Sequence, residues 1–138
     1  MMKGKLTRHG LLAAFLLSSV GQSFAELAPS VYEARQKAAP ESLKIEILRV
    51  EIEPGEQSDQ QKVEAVAMVI GVERTSSELK PDQIINISYI VTDRARSYNG
   101  PGEIPLLIEG ETSVAYLAKD ENGPGYLPVA GVMSFQNF

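Results

Sequence analysis

Apolar and polar positions along the chain fall into three successive regimes. Leu11 to Leu17 is an unbroken apolar run. Val31 to Ala39 mixes apolar residues with the helix formers Glu33, Ala34, Arg35, Gln36, Lys37 and Ala38, and Pro40 stops it. This pattern predicts one short helix, with Ser30 as its cap and Glu33 at capping-box spacing. From Leu43 the period becomes two. Leu43, Ile45 and Ile47 alternate with polar residues, then Leu48, Val50 and Ile52 continue in the opposite phase. A phase slip inside one continuous strand is the mark of a β-bulge, which predicts a bend at Ile47-Leu48.

The remaining chain reads as strands and turns. Pro54 to Gln61 is a polar, mobile turn segment. Lys62 to Arg74 forms the second strand, apolar in both phases between Val63 and Val72. It is either buried on both faces or coiled so that each half faces the core in turn, with Gly71 allowing the bend. Thr75 to Asp82 is a turn. Ile84 to Thr92 is the third strand, with Ile85, Ile87, Tyr89 and Val91 on one face. Ile104 to Ile108, interrupted by Pro105, is an edge piece or a turn of helix. Ser113–Lys119 is the fourth strand, Asp120 to Gly125 a strong turn, and Tyr126–Val129 and Val132–Phe135 are short strands. Tyr89, Tyr116, Tyr126 and Phe135 lie among aliphatic residues and are expected in the core. The fold class is therefore mainly β: a small closed or partly open barrel of five to six strands with one short N-terminal helix. Closure is the simplest way for so small a sheet to protect its edges.

The first apolar run changes the picture of where the protein goes. Lys3, Lys5 and Arg8 precede it, and Ser23-Phe24-Ala25 follows it with small residues at alternate positions. That order is a secretory signal peptide over residues 1–25, cut after Ala25, leaving a single domain over residues 26–138. Ser18, Ser19, Gly21, Gln22 and Ser23 interrupt the run before it reaches spanning length. The expected product is periplasmic or secreted, with no membrane attachment after cleavage. With no cysteine, it carries neither a lipid-modified cysteine nor a disulfide, and its length suffices to fold on packing alone.

Charge and missing residue types then narrow the chemistry. Without the three leader cations, ten basic residues face 18 acidic ones, a formal charge of −8. Such a domain lacks the positive footprint of nucleic-acid binding. The only histidine, His9, lies in the leader. Ser-His-Asp and Cys-His catalysis are thereby excluded, as are zinc, copper, haem and iron–sulfur sites that need imidazole or thiolate. No cofactor and no metal site are expected.

Three groups of residues remain as candidates. Arg94, Arg96 and Tyr98 sit together in the loop Asp93 to Gly102, where two of the ten cations accompany an aromatic side chain. Arginine and tyrosine on one loop can grip an anionic or aromatic partner, which makes this the first-choice binding site. Glu51 and Glu53 share a strand face, but glycosidase chemistry needs carboxylates across a cleft, which a strand surface does not supply. Asp120, Glu121 and Asn122 do not follow the alternating spacing of a calcium loop and read as a turn. Asn86-Ile87-Ser88 matches a glycosylation sequon but falls inside a strand.

Two segments resemble a known family. One is Glu73-Arg74-Thr75-Ser76-Ser77-Glu78-Leu79-Lys80-Pro81-Asp82-Gln83-Ile84, after a helix containing Tyr32-Glu33-Ala34-Arg35 and two bent strands. The other is Leu107-Ile108-Glu109-Gly110-Glu111-Thr112-Ser113-Val114-Ala115-Tyr116-Leu117. Both are similar to netrin-like domains, the OB-type barrels that include tissue inhibitors of metalloproteinases, and to small secreted bacterial proteins of that type. The resemblance implies an OB/netrin-like barrel. Inhibitors in that family chelate the protease metal through an N-terminal cysteine, which this chain lacks, so that mechanism does not carry over. The expected function is a non-enzymatic binding module for a protein or small ligand; an inhibitor or accessory protein of an exported hydrolase is the alternative.

Overall fold

The computed structural model describes residues 27–92 and 103–138. The expected leader (residues 1–25) and the candidate site residues Arg94, Arg96 and Tyr98 lie outside that range. Helix α1 (Pro29–Ala38) leads into β1 (Glu41–Pro54), β2 (Gln60–Arg74), β3 (Ile84–Thr92), β4 (Thr112–Lys119) and β5 (Tyr126–Pro128). A 3-10 turn (Gly131–Met133) and the two-residue β6 (Phe135–Gln136) follow.

Helix α1 starts earlier than Ser30. Pro29 occupies its first turn, where a missing N–H costs nothing and the fixed φ is already helical, and no side chain caps it. Its other end is capped from afar. Arg74, the last residue of β2, donates from Nε to Ala39 O at 2.8 Å and from Nη2 to Gln36 O at 2.7 Å. The cation thus satisfies terminal carbonyls where the helix dipole favours positive charge. Gln36 Nε2 donates to Met133 O at 2.9 Å, and Tyr32 is buried, its ring close against Gly131. Gly131 has a φ of +55°, so it meets both a left-handed backbone and a tight contact.

The strands close in the order β1-β2-β3-β5-β4 and back to β1, with β6 added to β4. Every pairing is antiparallel except β3–β5, which meets in parallel at Ile87 and Tyr126. Closure depends on β1, whose Glu41–Glu46 half pairs with β4 while Ser42 to Pro54 pair with β2. The bulge is where the phase slip places it. Ile47 opposes Ala67 and Arg49 opposes Val66, leaving Leu48 unmatched and 44% exposed. Two further register shifts leave Glu73 and Ile70 of β2 without direct partners. Each extra residue adds bend and twist, as a small barrel requires.

Inside lie Leu43, Ile45, Ile47, Val63, Ile87 and Leu117, with Ala65, Ala67 and Ala115 between them. Tyr89 and Phe135 pack with ring centroids 5.9 Å apart. Of the two readings of β2, burial on both faces does not occur. Val63, Ala65, Ala67 and Val69 face the core, whereas Val66 and Met68 are half-buried outside and Ile70 is 38% exposed. Residues 103–108 form no regular element. Leu107 is nonetheless buried, because Tyr89 Oη donates to Pro105 O at 2.7 Å and accepts from Leu107 N at 3.2 Å. Val132 and Met133 belong to the 3-10 turn rather than to a strand, and Tyr116 is half-buried rather than in the core.

The parallel closure sets a steric requirement on Gly125. A Cβ there would lie 2.9 Å from the carbonyl oxygen of Asn86, which is backbone and cannot swing away. Gly125→Ala is expected to destabilise the fold by about 1–3 kcal/mol. Gly123→Ala, whose Cβ would meet only the end of the Asp120 side chain, should change little. Urea unfolding of both variants checks the contrast.

Candidate functional site

The loop that carries Arg94, Arg96 and Tyr98 leaves the barrel at Thr92 and returns at Glu103. Thr92 N donates to Glu103 Oε2 at 3.4 Å, drawing these two ends together. Thr92 is also the register partner of Gln60, so the loop springs from the end of the barrel that carries the β1–β2 turn. Nearby, Tyr89 supports the returning segment. Burial pushes its hydroxyl up to about 12, against a smaller opposing effect of the Leu107 N–H. It therefore keeps its proton for Pro105 O.

A second cluster was not foreseen from the sequence. Glu41 opens β1 and is 0% exposed. Its carboxylate accepts from Thr75 Oγ1, Ser76 N and Oγ, and Ser77 N and Oγ, five donors from one turn. Ser77 spends its single proton on Glu41 at 2.7 Å, so Tyr126 Oη, 2.8 Å from Ser77 Oγ, donates to it. Thr75 Oγ1 in turn accepts from Leu79 N at 3.1 Å. Burial pushes the Glu41 carboxyl up, but the hydrogen bonds from Thr75, Ser77 and Ser76 outweigh it and hold the group below its ordinary 4.5. The anchored turn contains two residues with left-handed backbone, Glu78 (φ 62°) and Asp82 (φ 74°). Such conformations cost on the order of 1 kcal/mol each outside glycine. The geometry is that of a structural latch: the donors saturate the carboxylate and leave it no lone pair directed at a substrate.

The third feature is a concavity of about 270 Å³ on the outer wall, lined in part by Arg49, Glu51, Glu64, Asn86, Ser88 and Asp120. Register explains why these residues meet. Glu51, Glu64 and Ser88 are neighbours across β1, β2 and β3, and Arg49, Val66 and Asn86 form the next row. The β4–β5 turn supplies one rim through Asp120, Pro124 and Gly125. Its shape is held by Asp120 N bonding to Gly125 O at 2.8 Å and Asn122 N to Asp120 Oδ1 at 2.9 Å. The expectation that a strand surface supplies no cleft is thus corrected. A flat strand has none, but a bent wall with an overhanging turn does.

The charges in the concavity are arranged in pairs. Arg49 Nε lies 3.6 Å from Glu51 Oε1, and Lys62 Nζ lies 3.1 Å from Glu64 Oε1. Glu64 raises the Lys62 ammonium above its ordinary value by hydrogen bonding and charge. Surface pairs of this kind contribute little to stability. Their side chains remain free to exchange partners with a ligand. Glu53, by contrast, faces Lys62 in the ladder and is not part of the lining. Among the described residues no group of three or more His, Cys, Asp or Glu could hold a metal ion, and no helix is long and apolar enough to cross a membrane.

Comparison with protein-family models, with curated proteins and with solved structures returns no match.

The Glu41 latch gives a pH dependence whose sign is fixed. A carboxyl with a lowered folded value adds stability that is complete above its unfolded value and is lost as pH falls through the folded one. Glu41→Gln, which removes the charge and brings in a competing donor, should cost about 3 kcal/mol at pH 7. The difference in urea midpoint between wild type and variant should shrink as pH is lowered below 4.5. A pH-independent difference would show that the charge of Glu41 is not what holds the turn.

Proposed function

We propose that the chain is an exported, non-enzymatic binding module on an OB/netrin-type barrel, and that it captures a protein or small ligand on the outer wall of β1, β2 and β3. The observation that carries this reading is the concavity itself. Polar groups of different kinds (a guanidinium, three carboxylates, an amide and a hydroxyl) converge there from four elements of the barrel. Side chains fixed on strands hold their positions better than side chains on loops, which suits recognition. The order β1-β2-β3-β5-β4 supports the OB-type reading, since five-stranded barrels of that type bind ligands on the strand 2–3 face beside the turn between strands 4 and 5.

Two features of the sequence support the rest. The basic, apolar and small-residue zones of residues 1–25 favour export to a periplasmic or extracellular space. The lack of histidine and cysteine beyond the leader favours binding over catalysis. Arg94, Arg96 and Tyr98, in the sequence after β3, are a second candidate.

Capture from an exported-protein extract separates the surfaces. Three baits are needed: wild type, Glu51→Lys/Glu64→Lys, and Arg94→Ala/Arg96→Ala/Tyr98→Ala, with circular dichroism confirming that each folds. The expected result is a partner held by wild type and the loop variant and lost by the charge-reversed wall. Loss in the loop variant alone would move the site to the loop. Capture of a hydrolase together with loss of its activity would favour the inhibitor alternative. No specific capture by wild type would sink protein binding.

A further inference from the structure

We infer that the occupant of this wall is an extended polypeptide segment in which a basic residue is followed, at alternate positions, by apolar ones. The inference rests on the binding-module reading and adds the chemistry of the partner.

The outward phase of β2 carries an apolar row. On a barrel wall facing water this phase should be polar, yet from Val66 it runs Val66, Met68 and Ile70. Register sets Met68 beside Ile84 of β3, which is 56% exposed. An apolar strip therefore continues directly from the polar concavity along the same two strands. Neither half explains the other among the described residues. The core is already closed on the opposite face, and Ile84 contributes nothing to it.

Charge selects the sign of the partner. Among the described residues the lining sets Glu51, Glu64 and Asp120 against Arg49, Lys62 pairs with Glu64 from beside it, and Glu46 flanks Met68 in the next row, so four acidic groups face two basic ones. A lysine or arginine fits this end, and an acidic segment is repelled. Geometry selects its form. Residues two apart on a strand present the same face about 7 Å apart, so Glu64, Val66 and Met68 define a row with strand periodicity. An extended peptide laid along β2 offers side chains at the same interval. In a peptide that runs parallel to β2, a basic residue against Glu64 places the second and fourth residues after it over Val66 and over Met68 with Ile84. A compact cation reaches only the concavity, and a purely apolar segment leaves its excess of acidic over basic groups unmatched.

The probes are three labelled peptides titrated against the purified protein by fluorescence anisotropy: Lys-Ser-Leu-Ser-Leu, Glu-Ser-Leu-Ser-Leu and Lys-Ser-Ser-Ser-Ser. The first should bind saturably, with affinity falling as salt is raised. The other two should bind at least about tenfold more weakly. Glu64→Lys and Ile84→Ser should each weaken the first peptide by a comparable factor, both positions being exposed enough for the fold to tolerate the change. Equal binding of the lysine and glutamate peptides, insensitivity to Ile84→Ser, or no saturable binding of the first peptide overturns the inference. If the peptide fails while the extract partner still depends on Glu51 and Glu64, only the peptide chemistry falls; if both fail, the wall is not the site.

Discussion

A barrel of five strands closes only if one strand can serve two neighbours that run in different directions. Here that strand is β1. Its first six residues carry β4 on one edge while Ser42 to Pro54 carry β2 on the other. A straight strand cannot do both, because the twist needed to meet β4 would take its far half away from β2. The extra residue Leu48, together with the unmatched Glu73 and Ile70 on β2, supplies the curvature. The outer wall inherits the same curvature, so the concavity between Glu51, Glu64 and Asn86 is a consequence of closure rather than an addition to it.

Closure also places the buried carboxylate. Glu41 is the first residue of β1 and stands where β4, the β2–β3 turn and β5 come together. An unpaired carboxylate there would be far too costly to bury. Three consecutive hydroxyl residues, Thr75, Ser76 and Ser77, remove that cost and in return are fixed by it. The left-handed residues Glu78 and Asp82 follow within the same turn, whose far end returns to Val69 through Asp82 N and Gln83 O. Tyr126 then extends the network to β5, the short strand whose single parallel bridge completes the barrel. One charge thus links the start of the first strand to the last closing contact.

Much of this architecture was legible in the sequence where the signal was local. The phase slip after Ile47 located the bulge because side-chain alternation is a property of the strand itself. The alternation in β3 was clear for the same reason. Reading failed where a distant residue decides. Ser30 looked like a helix cap, but Pro29 begins the helix and Arg74, from the far end of β2, caps its C-terminus. The doubly apolar stretch of β2 reads the same whether its second face is covered by protein or left to the surface. Glu41 and Thr75–Ser77 are 34 or more residues apart, and nothing local distinguishes them from solvated polar residues. Arg49, Glu51, Glu64, Asn86 and Ser88 become a site only through register, which alternation constrains but does not assign.

That last point bears on how a wall of this kind works. Each polar residue in the concavity is ordinary by itself, and the sequence offers no motif because the site needs none. What distinguishes it is that the ladder presents rows from three strands in parallel, with charge at one end and apolar side chains at the other. The core, by contrast, is closed and apolar, and the Glu41 network is saturated internally. Both are finished structures with no capacity left for a ligand. The outer wall combines a concave shape, exchangeable charges and apolar surface that no packing within the described residues accounts for. Closure uses the buried charge and leaves the amphipathic face outward, and that is the face which the proposed partner would cover while the barrel holds its shape.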